Sequence, residues 1–88
     1  MKVEYRKRFL KELAKIPSQT RKEIESFVFE EFLKYDTIFE SKKIEQLKNY
    51  PGFYKIRFGD YRLGIKKEGE TIIFECALHR KDIYRYFP

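Results

Sequence analysis

The segment Phe53-Tyr-Lys-Ile-Arg-Phe-Gly-Asp-Tyr-Arg-Leu-Gly-Ile-Lys66 predicts a hairpin of two strands that turns at Gly59-Asp60. Glycine supplies the positive φ that a two-residue loop requires. Because successive side chains of a strand point to opposite faces, one face of this hairpin is apolar and the other is basic. The basic face is formed by four cations, which are Lys55, Arg57, Arg62 and Lys66.

The register of this hairpin brings like charges together. A two-residue loop pairs Phe58 with Tyr61, and it therefore sets Arg57 directly opposite Arg62. Like charges that face each other across two strands destabilise a sheet. A function that depends on this cluster would explain why the repulsion is tolerated, and binding of a polyanion is one such function.

The composition is that of one small basic domain, which we expect to span residues 1–88. The chain has nine Phe and seven Tyr but no Trp, so an aromatic-rich core is predicted. Its 20 Lys and Arg residues exceed its 14 Asp and Glu residues, which gives a formal net charge of +6. Such a charge favours a nucleic acid, an anionic membrane or an acidic protein as the partner.

Several classes of protein are disfavoured by the sequence. No apolar run is long enough to span a bilayer, and the charged N-terminus lacks the pattern of a signal peptide. The single cysteine, Cys76, excludes an internal disulfide, fits a reducing cytosol and is predicted to lie in the core. The chain has one His and no second Cys at ligand spacing, so no metal site is expected.

Helical patterns precede the hairpin. Residues 1–5 fit a short strand, and apolar residues at helical spacing predict a helix over 6–16. Pro17 ends that helix, and Ser18 or Thr20 can cap a second helix, with Thr20 and Glu23 forming the pattern of a capping box. An apolar stripe carries this second helix on to about Lys34.

The rest of the chain predicts further strands. Residues 36–50 fit either a short strand or an irregular arm. Glu68-Gly69 is predicted to form a second tight turn, followed by a strand over 70–78. Residues 79–88 fit a turn or a short helix.

These elements predict an α+β domain with the order β-α-α-β-β-β, in which two N-terminal helices pack on a mostly antiparallel four-stranded sheet. In the expected register, Ile65 faces Ile72 and Glu75 faces Arg62. The Glu75 carboxylate would then hold the Arg62 guanidinium and lower the charge of the basic face.

Three motifs in succession resemble the RelE/ParE toxin superfamily, and its RelE type most closely. They are Tyr54-Lys-Ile-Arg57, Gly59-Asp-Tyr-Arg-Leu63 and His79-Arg-Lys-Asp-Ile-Tyr84. The resemblance covers nearly the whole chain. It implies a cytoplasmic toxin of a type II toxin–antitoxin pair that cleaves mRNA in the ribosomal A site without a metal or another cofactor. The implied partners are a cognate antitoxin, with which it forms a hetero-oligomer, and the ribosome with its mRNA.

The resemblance also implies a catalytic site of strand cations and a C-terminal tyrosine. The catalytic candidates are Lys55, Arg57, Arg62, Arg80 and Tyr84. The predicted RNA contacts around them are Lys66, His79, Lys81, Arg85 and Tyr86. The best-known members have lysine at the position of Arg57, so a titratable group here is either Lys55 or Tyr84. Tyr86 is a rival to Tyr84 for the tyrosine role.

Metal-free RNA cleavage uses the neighbouring 2′-hydroxyl as nucleophile, and it needs a base, stabilisation of the phosphorane and a proton for the leaving 5′ oxygen. Arginines suit charge stabilisation because they keep their proton. Lys55 is the more plausible proton acceptor, since neighbouring positive charges favour its neutral form. Tyr84 could orient or deprotonate the 2′-hydroxyl or stack on a base, and Arg80 or His79 could donate to the leaving group.

Other functions fit the same residues. A basic strand face can be solvated surface or a simple nucleic-acid-binding site. The ParE branch of the superfamily poisons DNA gyrase and is not a nuclease. A third alternative is an inactive relative that only binds an antitoxin or regulates transcription with it.

Overall fold

The computed structural model describes residues 1–88, which form a sheet with helices on both faces. The strands are β1 (Lys2–Tyr5), β2 (Ile44–Gln46), β3 (Phe53–Phe58), β4 (Tyr61–Glu68) and β5 (Thr71–His79). The α-helices are α1 (Lys7–Ala14), α2 (Ser18–Ser26) and α3 (Ile83–Tyr86). A π-helical turn (Phe27–Glu31) and a 3₁₀ turn (Phe32–Lys34) extend α2, and a second 3₁₀ turn covers Ile38–Glu40.

The sheet has five strands in the order β1-β5-β4-β3-β2. Only β1 is parallel to its neighbour β5, and the other pairs are antiparallel. The predicted α+β class is confirmed, but the predicted count of four strands is wrong. The additional strand is β2, which lies in the segment that the sequence left open. It has three residues, too few for a recognisable alternation, and it is defined by pairing with β3, where Ile44 faces Ile56.

The two N-terminal helices cover one face of the sheet and enclose the larger core. Each helix contributes apolar side chains at helical spacing, among them Phe9 and Leu13 from α1 and Ile24 from α2. These residues pack against buried side chains of β3, β4 and β5 in one cluster of 16 residues. The predicted helices are thus confirmed to within about two residues at their ends.

The predicted capping box of the second helix is wrong. The carbonyl of Pro17 accepts the first helical hydrogen bond, from the Arg21 amide at 2.9 Å, so Thr20 already lies inside the first turn. A capping box forms instead at Thr37, which begins the second 3₁₀ turn and exchanges hydrogen bonds with Glu40.

The register of β5 on β4 differs from the prediction. The turn consists of Gly69-Glu70, with Glu68 opposite Thr71, because Gly69 takes the positive φ of +59° at the first loop position. Ile65 therefore faces Phe74 rather than Ile72. The pairing then shifts at Gly64/Ile65, so a β-bulge leaves Glu75 without a partner in β4.

The bulge exchanges the two faces of β5. Before it Phe74 faces the helices, and after it Ala77 does so. Cys76 is buried as predicted, but it faces the opposite side and joins a second, smaller core. That core also contains Leu47, Ile83 and Phe87, and it fixes the C-terminal segment across the sheet face that the two N-terminal helices leave free.

Candidate active site on the basic sheet face

The sheet face opposite α1 and α2 carries the predicted cations. Arg57 lies directly opposite Arg62, as the hairpin register predicts. Their strand neighbours Ile56, Phe58 and Leu63 are buried on the other face, so packing of the apolar side determines where the charges point. None of Lys55, Arg57 and Arg62 takes part in an ion pair.

The helix α3 brings Tyr84 to the same face. Ile83 and Phe87 are buried in the smaller core, whereas Tyr84 between them is 67% exposed. The Lys55 ammonium donates a hydrogen bond to the Tyr84 hydroxyl. The same ammonium nitrogen lies 4.9 Å from the centroid of the Tyr84 ring, a cation–π distance. Residues 29 positions apart in the chain are thereby joined at one point.

A cleft of about 150 Å³ combines four of the five catalytic candidates. Its lining residues are Glu45, Lys55, Arg57, Arg62 and Tyr84. Glu45 was missed by the sequence analysis. It lies on β2 directly opposite Lys55, and this strand of three residues is too short for its alternation to be recognised in the sequence. Because Ile44 packs against the larger core, its neighbour must point to the basic face.

The guanidinium of Arg62 is held by the hairpin turn. Its Nη1 donates to the Gly59 carbonyl at 2.7 Å and to the Tyr61 carbonyl at 3.0 Å. The predicted contact with Glu75 is wrong, because the turn at Gly69-Glu70 and the bulge together set Arg62 opposite Leu78, and Glu75 instead accepts from Arg6 Nε at 2.9 Å. Arg62 therefore has no carboxylate partner, and it has further N–H groups for an anion.

Arg80 lies beside the cleft rather than in its lining. Its amide donates to the Asp60 carbonyl at 2.7 Å, and its Nε is 3.7 Å from the Asp60 carboxylate. Asp60 belongs to the same two-residue turn whose Gly59 carbonyl binds Arg62. The turn thus brings Arg80 close to the other candidates, and its side chain remains exposed.

Two of the predicted RNA contacts belong to a second cleft. Tyr86 and Lys66 line a space of about 500 Å³ together with Arg6, Lys7 and Arg8. The Lys66 ammonium is paired with Glu68 at 2.8 Å. The smaller cleft is lined by Tyr84 and not by Tyr86, so only Tyr84 shares a cleft with Lys55, Arg57 and Arg62.

The other predicted RNA contacts lie around α3 and the end of β5. The Nδ1 of His79 accepts from the Lys81 amide at 3.1 Å, and its ring packs edge-on against Tyr61. Lys81 and Arg85 are exposed, and the Arg85 guanidinium lies 5.9 Å from the Tyr86 ring centroid. These side chains extend the positive surface away from the cleft.

The remaining titratable chemistry is outside the cleft. Burial raises the pKa of the Cys76 thiol to about 12, so this group is an unreactive part of the core. No group of three or more His, Cys, Asp or Glu side chains is arranged to hold a metal ion. None of the helices has the length and apolar character that crossing a bilayer requires.

Comparison with known proteins gives one consistent family. A family model described as "ParE toxin of type II toxin-antitoxin system, parDE" matches residues 3–84. Over the full length of both chains, the sequence is 44% identical to Toxin RelE3 of Methanocaldococcus jannaschii.

Solved structures agree with this match. The toxin chain in the crystal structure of the RelB-RelE antitoxin-toxin complex from Methanococcus jannaschii is 40% identical, with a TM-score of 0.80 over 97% of this chain and 99% of that chain. The archaeal RelE-RelB complex from Pyrococcus horikoshii shares the fold, with 21% identity and a TM-score of 0.67 over 90% and 93% of the two chains.

Proposed function

We propose that this chain, which belongs to the RelE/ParE superfamily of type II toxin–antitoxin toxins, stops translation by cutting mRNA in the ribosomal A site. One observation carries the proposal above all. The unpaired cations Lys55, Arg57 and Arg62 line one cleft together with the hydroxyl of Tyr84. A scissile phosphodiester bound there would meet both charge-stabilising and proton-transferring groups.

The chemistry that this cleft supports is attack by the 2′-hydroxyl on the adjacent phosphorus. The reaction passes through a phosphorane with additional negative charge, and preformed positive groups stabilise such a state. Arg57 and Arg62 suit this role because a guanidinium stays charged and binds phosphate oxygens in a bidentate manner. We propose that Arg80, beside the hairpin turn, holds a neighbouring phosphate. The charge is supplied by side chains, so we propose that no metal ion takes part.

We propose that the ribosome aligns the substrate. The cleft is small, about 150 Å³, and Tyr84 at its edge is exposed. Alignment of the reacting atoms contributes much of the rate in such reactions. We therefore expect mRNA held in the A site to be cut far faster than the same RNA free in solution.

A cognate antitoxin is the expected partner, since four similar solved structures are complexes of RelE with RelB. The helical layer presents exposed apolar side chains that such a partner can cover, namely Leu10, Phe29 and Leu33. The net charge of +6 favours an acidic partner and makes association fast and sensitive to salt.

Inhibition of DNA gyrase is the second candidate, because the matching family model carries the ParE description. The full-length identity to a RelE toxin and the basic cleft with Tyr84 favour cleavage instead. A supercoiling assay with purified gyrase separates the two functions. Unchanged supercoiling together with cut mRNA supports cleavage, and the reverse result supports gyrase inhibition.

The direct test is a purified translation system with a defined mRNA, in which the 5′ ends of the fragments are mapped. The wild-type protein should cut within the A-site codon and leave a 2′,3′-cyclic phosphate on the upstream fragment. Arg62→Ala and Arg80→Ala should each abolish cleavage while the circular dichroism spectrum is retained. Lys11→Ala, which removes an exposed cation on the helical face, is the matched control and should cut normally. Wild-type activity in both arginine variants would refute the assignment.

Metal independence needs its own experiment, because ribosomes require Mg²⁺. A sulfur atom at a non-bridging oxygen of the scissile phosphate weakens contact with Mg²⁺ but not with softer cations such as Cd²⁺. The effect of this sulfur on the rate should therefore be equal with and without added Cd²⁺. Recovery of the rate by Cd²⁺ would show a catalytic metal.

A further inference from the structure

We propose that a cleft next to the candidate active site, here called the tyrosine cleft, binds a nucleobase of the mRNA, and that the ring of Tyr50 stacks on this base. The inference rests on the proposed cleavage and adds a substrate subsite to it. The tyrosine cleft has a volume of about 380 Å³, within the range of about 300–1,000 Å³ that is typical of ligand pockets.

The tyrosine cleft is contiguous with the active-site cleft that contains Arg57 and Arg62. The two clefts share Lys55 and Tyr84 as lining residues. A phosphodiester bound in the active-site cleft carries a nucleotide on each side. One of the two neighbouring bases is therefore brought to the tyrosine cleft.

The lining of the tyrosine cleft suits a flat aromatic ligand. Leu47 and Phe87 are buried and contribute an apolar floor. The side chains of Tyr50 and Tyr84 are 51% and 67% exposed, so their rings are accessible to a ligand. Nucleobases stack on such rings whatever their identity, because every base has a π-face.

The charge of the tyrosine cleft favours a nucleotide over an uncharged aromatic ligand. Two lysines, Lys48 and Lys55, line it, and no carboxylate does. Lysines of this kind attract the phosphates on either side of a bound base. A ligand that is both aromatic and anionic fits this lining, and a nucleotide of the mRNA has both properties.

Tyr50 is held in place by two consecutive turns. Its amide donates to the Leu47 carbonyl at 3.2 Å and closes the first turn. Asn49 has a φ of +69° in this turn, a left-handed conformation that Asn adopts more readily than most residues. The Tyr50 carbonyl accepts from the Phe53 amide at 3.1 Å across Pro51-Gly52. The glycine has a φ of +85°, as a type II turn requires at this position.

This loop is also anchored at its base. The Leu47 amide donates to the Phe53 carbonyl at 2.8 Å, and the Lys67 amide donates to the Gly52 carbonyl at 2.8 Å. Tyr50 itself belongs to neither core, so the packing of the fold does not explain its ring. An exposed ring on a fixed loop loses little conformational entropy when a ligand binds, which favours stacking.

Stacking by Tyr50 should act on binding of the substrate rather than on the reaction. Loss of one stacking residue weakens binding of a single strand by about 5–150-fold. Tyr50→Ala should therefore raise the toxin concentration at half-maximal rate by this factor, whereas the rate at saturation and its dependence on pH should stay close to the wild-type values. Tyr50→Phe should resemble the wild type, because stacking uses the ring and not the hydroxyl.

The test is single-turnover cleavage of mRNA in programmed ribosomes over a range of toxin concentrations. One mRNA is unmodified, and two others lack the base on the 5′ or the 3′ side of the mapped cut. Both abasic mRNAs keep the attacking 2′-hydroxyl. On one of the two, Tyr50→Ala and the wild type should cut equally fast at every toxin concentration, because Tyr50 has lost its stacking partner. The wild type itself should bind that mRNA more weakly than the unmodified one.

Phe39→Ala is the matched control. Phe39 is also an exposed aromatic residue, but it packs edge-on against Tyr54 and lines neither cleft. This variant should cut all three mRNAs as the wild type does. Urea unfolding of both alanine variants shows whether a loss of activity comes from the subsite or from the fold, and the abasic mRNAs probe the subsite in the wild-type protein.

The outcomes separate this inference from the function on which it rests. If the wild-type protein cuts no mRNA, the cleavage and the subsite are both refuted. If the wild-type protein cuts and Tyr50→Ala binds and cuts the unmodified mRNA equally well, the subsite is refuted and the proposed cleavage stands. If Tyr50→Ala is weaker by the same factor on all three mRNAs, Tyr50 contacts another part of the complex, such as ribosomal RNA, and the subsite is again refuted.

Discussion

Replacement of Gly64 by alanine should loosen the C-terminal segment and with it the candidate active site. A Cβ atom at Gly64 would lie 2.7 Å from Cys76 Sγ and 2.7 Å from Cδ2 of Phe87, closer than such atoms can approach. Cys76 is fixed in the middle of β5, whereas Phe87 is the penultimate residue. The strain should therefore be relieved by movement of Phe87, and Tyr84 should move with it.

The expected cost follows from overpacking of a small core. Forcing an extra methyl group into a well-packed site costs about 1–3 kcal/mol of unfolding free energy. In a domain of this size each 1 kcal/mol lowers the melting temperature by about 4–8 °C. The measurements are urea unfolding for stability and single-turnover mRNA cleavage for the site. We expect activity to fall by more than the small unfolded fraction explains.

A double-mutant cycle with Phe87→Leu identifies the mechanism. Gly64→Ala should cost less in the Phe87→Leu background, because the smaller side chain leaves room for the added methyl group. Gly69→Ala is the matched control: nothing lies within 4 Å of its Cβ, and its cost comes from a φ of +59° alone. That cost should be the same in both backgrounds. The reasoning is refuted if Gly64→Ala leaves the urea midpoint unchanged or costs equally with Phe and Leu at position 87.

Glu12→Ala should cost about 1–3 kcal/mol in urea unfolding, because the Ala77 amide would lose the side-chain acceptor that binds it at 3.0 Å. Arg8→Ala should cost at most about 1 kcal/mol, since it removes only the exposed partner of Glu12; an equal loss in both variants would contradict this account. The Cys76 thiol should resist alkylation in the native protein and react on unfolding, because burial raises its pKa to about 12. The unfolding free energy should then fall as pH rises from 9.0 toward about 12, because in this range the unfolded thiol ionises and the native thiol does not. The measurement is the difference in unfolding free energy between wild type and Cys76→Ala over this range. A difference that does not change with pH would contradict the raised pKa of the buried thiol.

The parts of the fold that the sequence predicted are those with a strong local signal. The alternation from Tyr54 to Ile65 and the glycine at the turn determine the central hairpin, including the opposition of Arg57 and Arg62. The parts that it missed depend on tertiary packing. The strand β2 exists only because Ile44 can pair with Ile56 and reach the larger core, and Glu45 on the same strand was missed for that reason.

The same distinction applies to the candidate site. Lys55, Arg57 and Arg62 were predicted from one hairpin, where strand alternation is enough. The choice between Tyr84 and Tyr86 depended on how the last residues cross the sheet, which a four-residue helix does not reveal in sequence. In the structure, the burial of Ile83 and Phe87 leaves Tyr84 beside Lys55.

The β-bulge opposite Gly64/Ile65 connects these findings, although no pattern in the sequence predicted it. Without the bulge, the side chains that follow Phe74 would keep the predicted alternation, and Cys76 would face the helical layer. The bulge turns Cys76 toward the C-terminal segment, so that Ile83 and Phe87 have a core to enter. It also removes Glu75 from the β4 ladder, and the Glu75 carboxylate pairs with Arg6. One extra residue in β5 therefore gives the helix that carries Tyr84 a core on which to anchor, and it thereby determines where this tyrosine lies on the basic face.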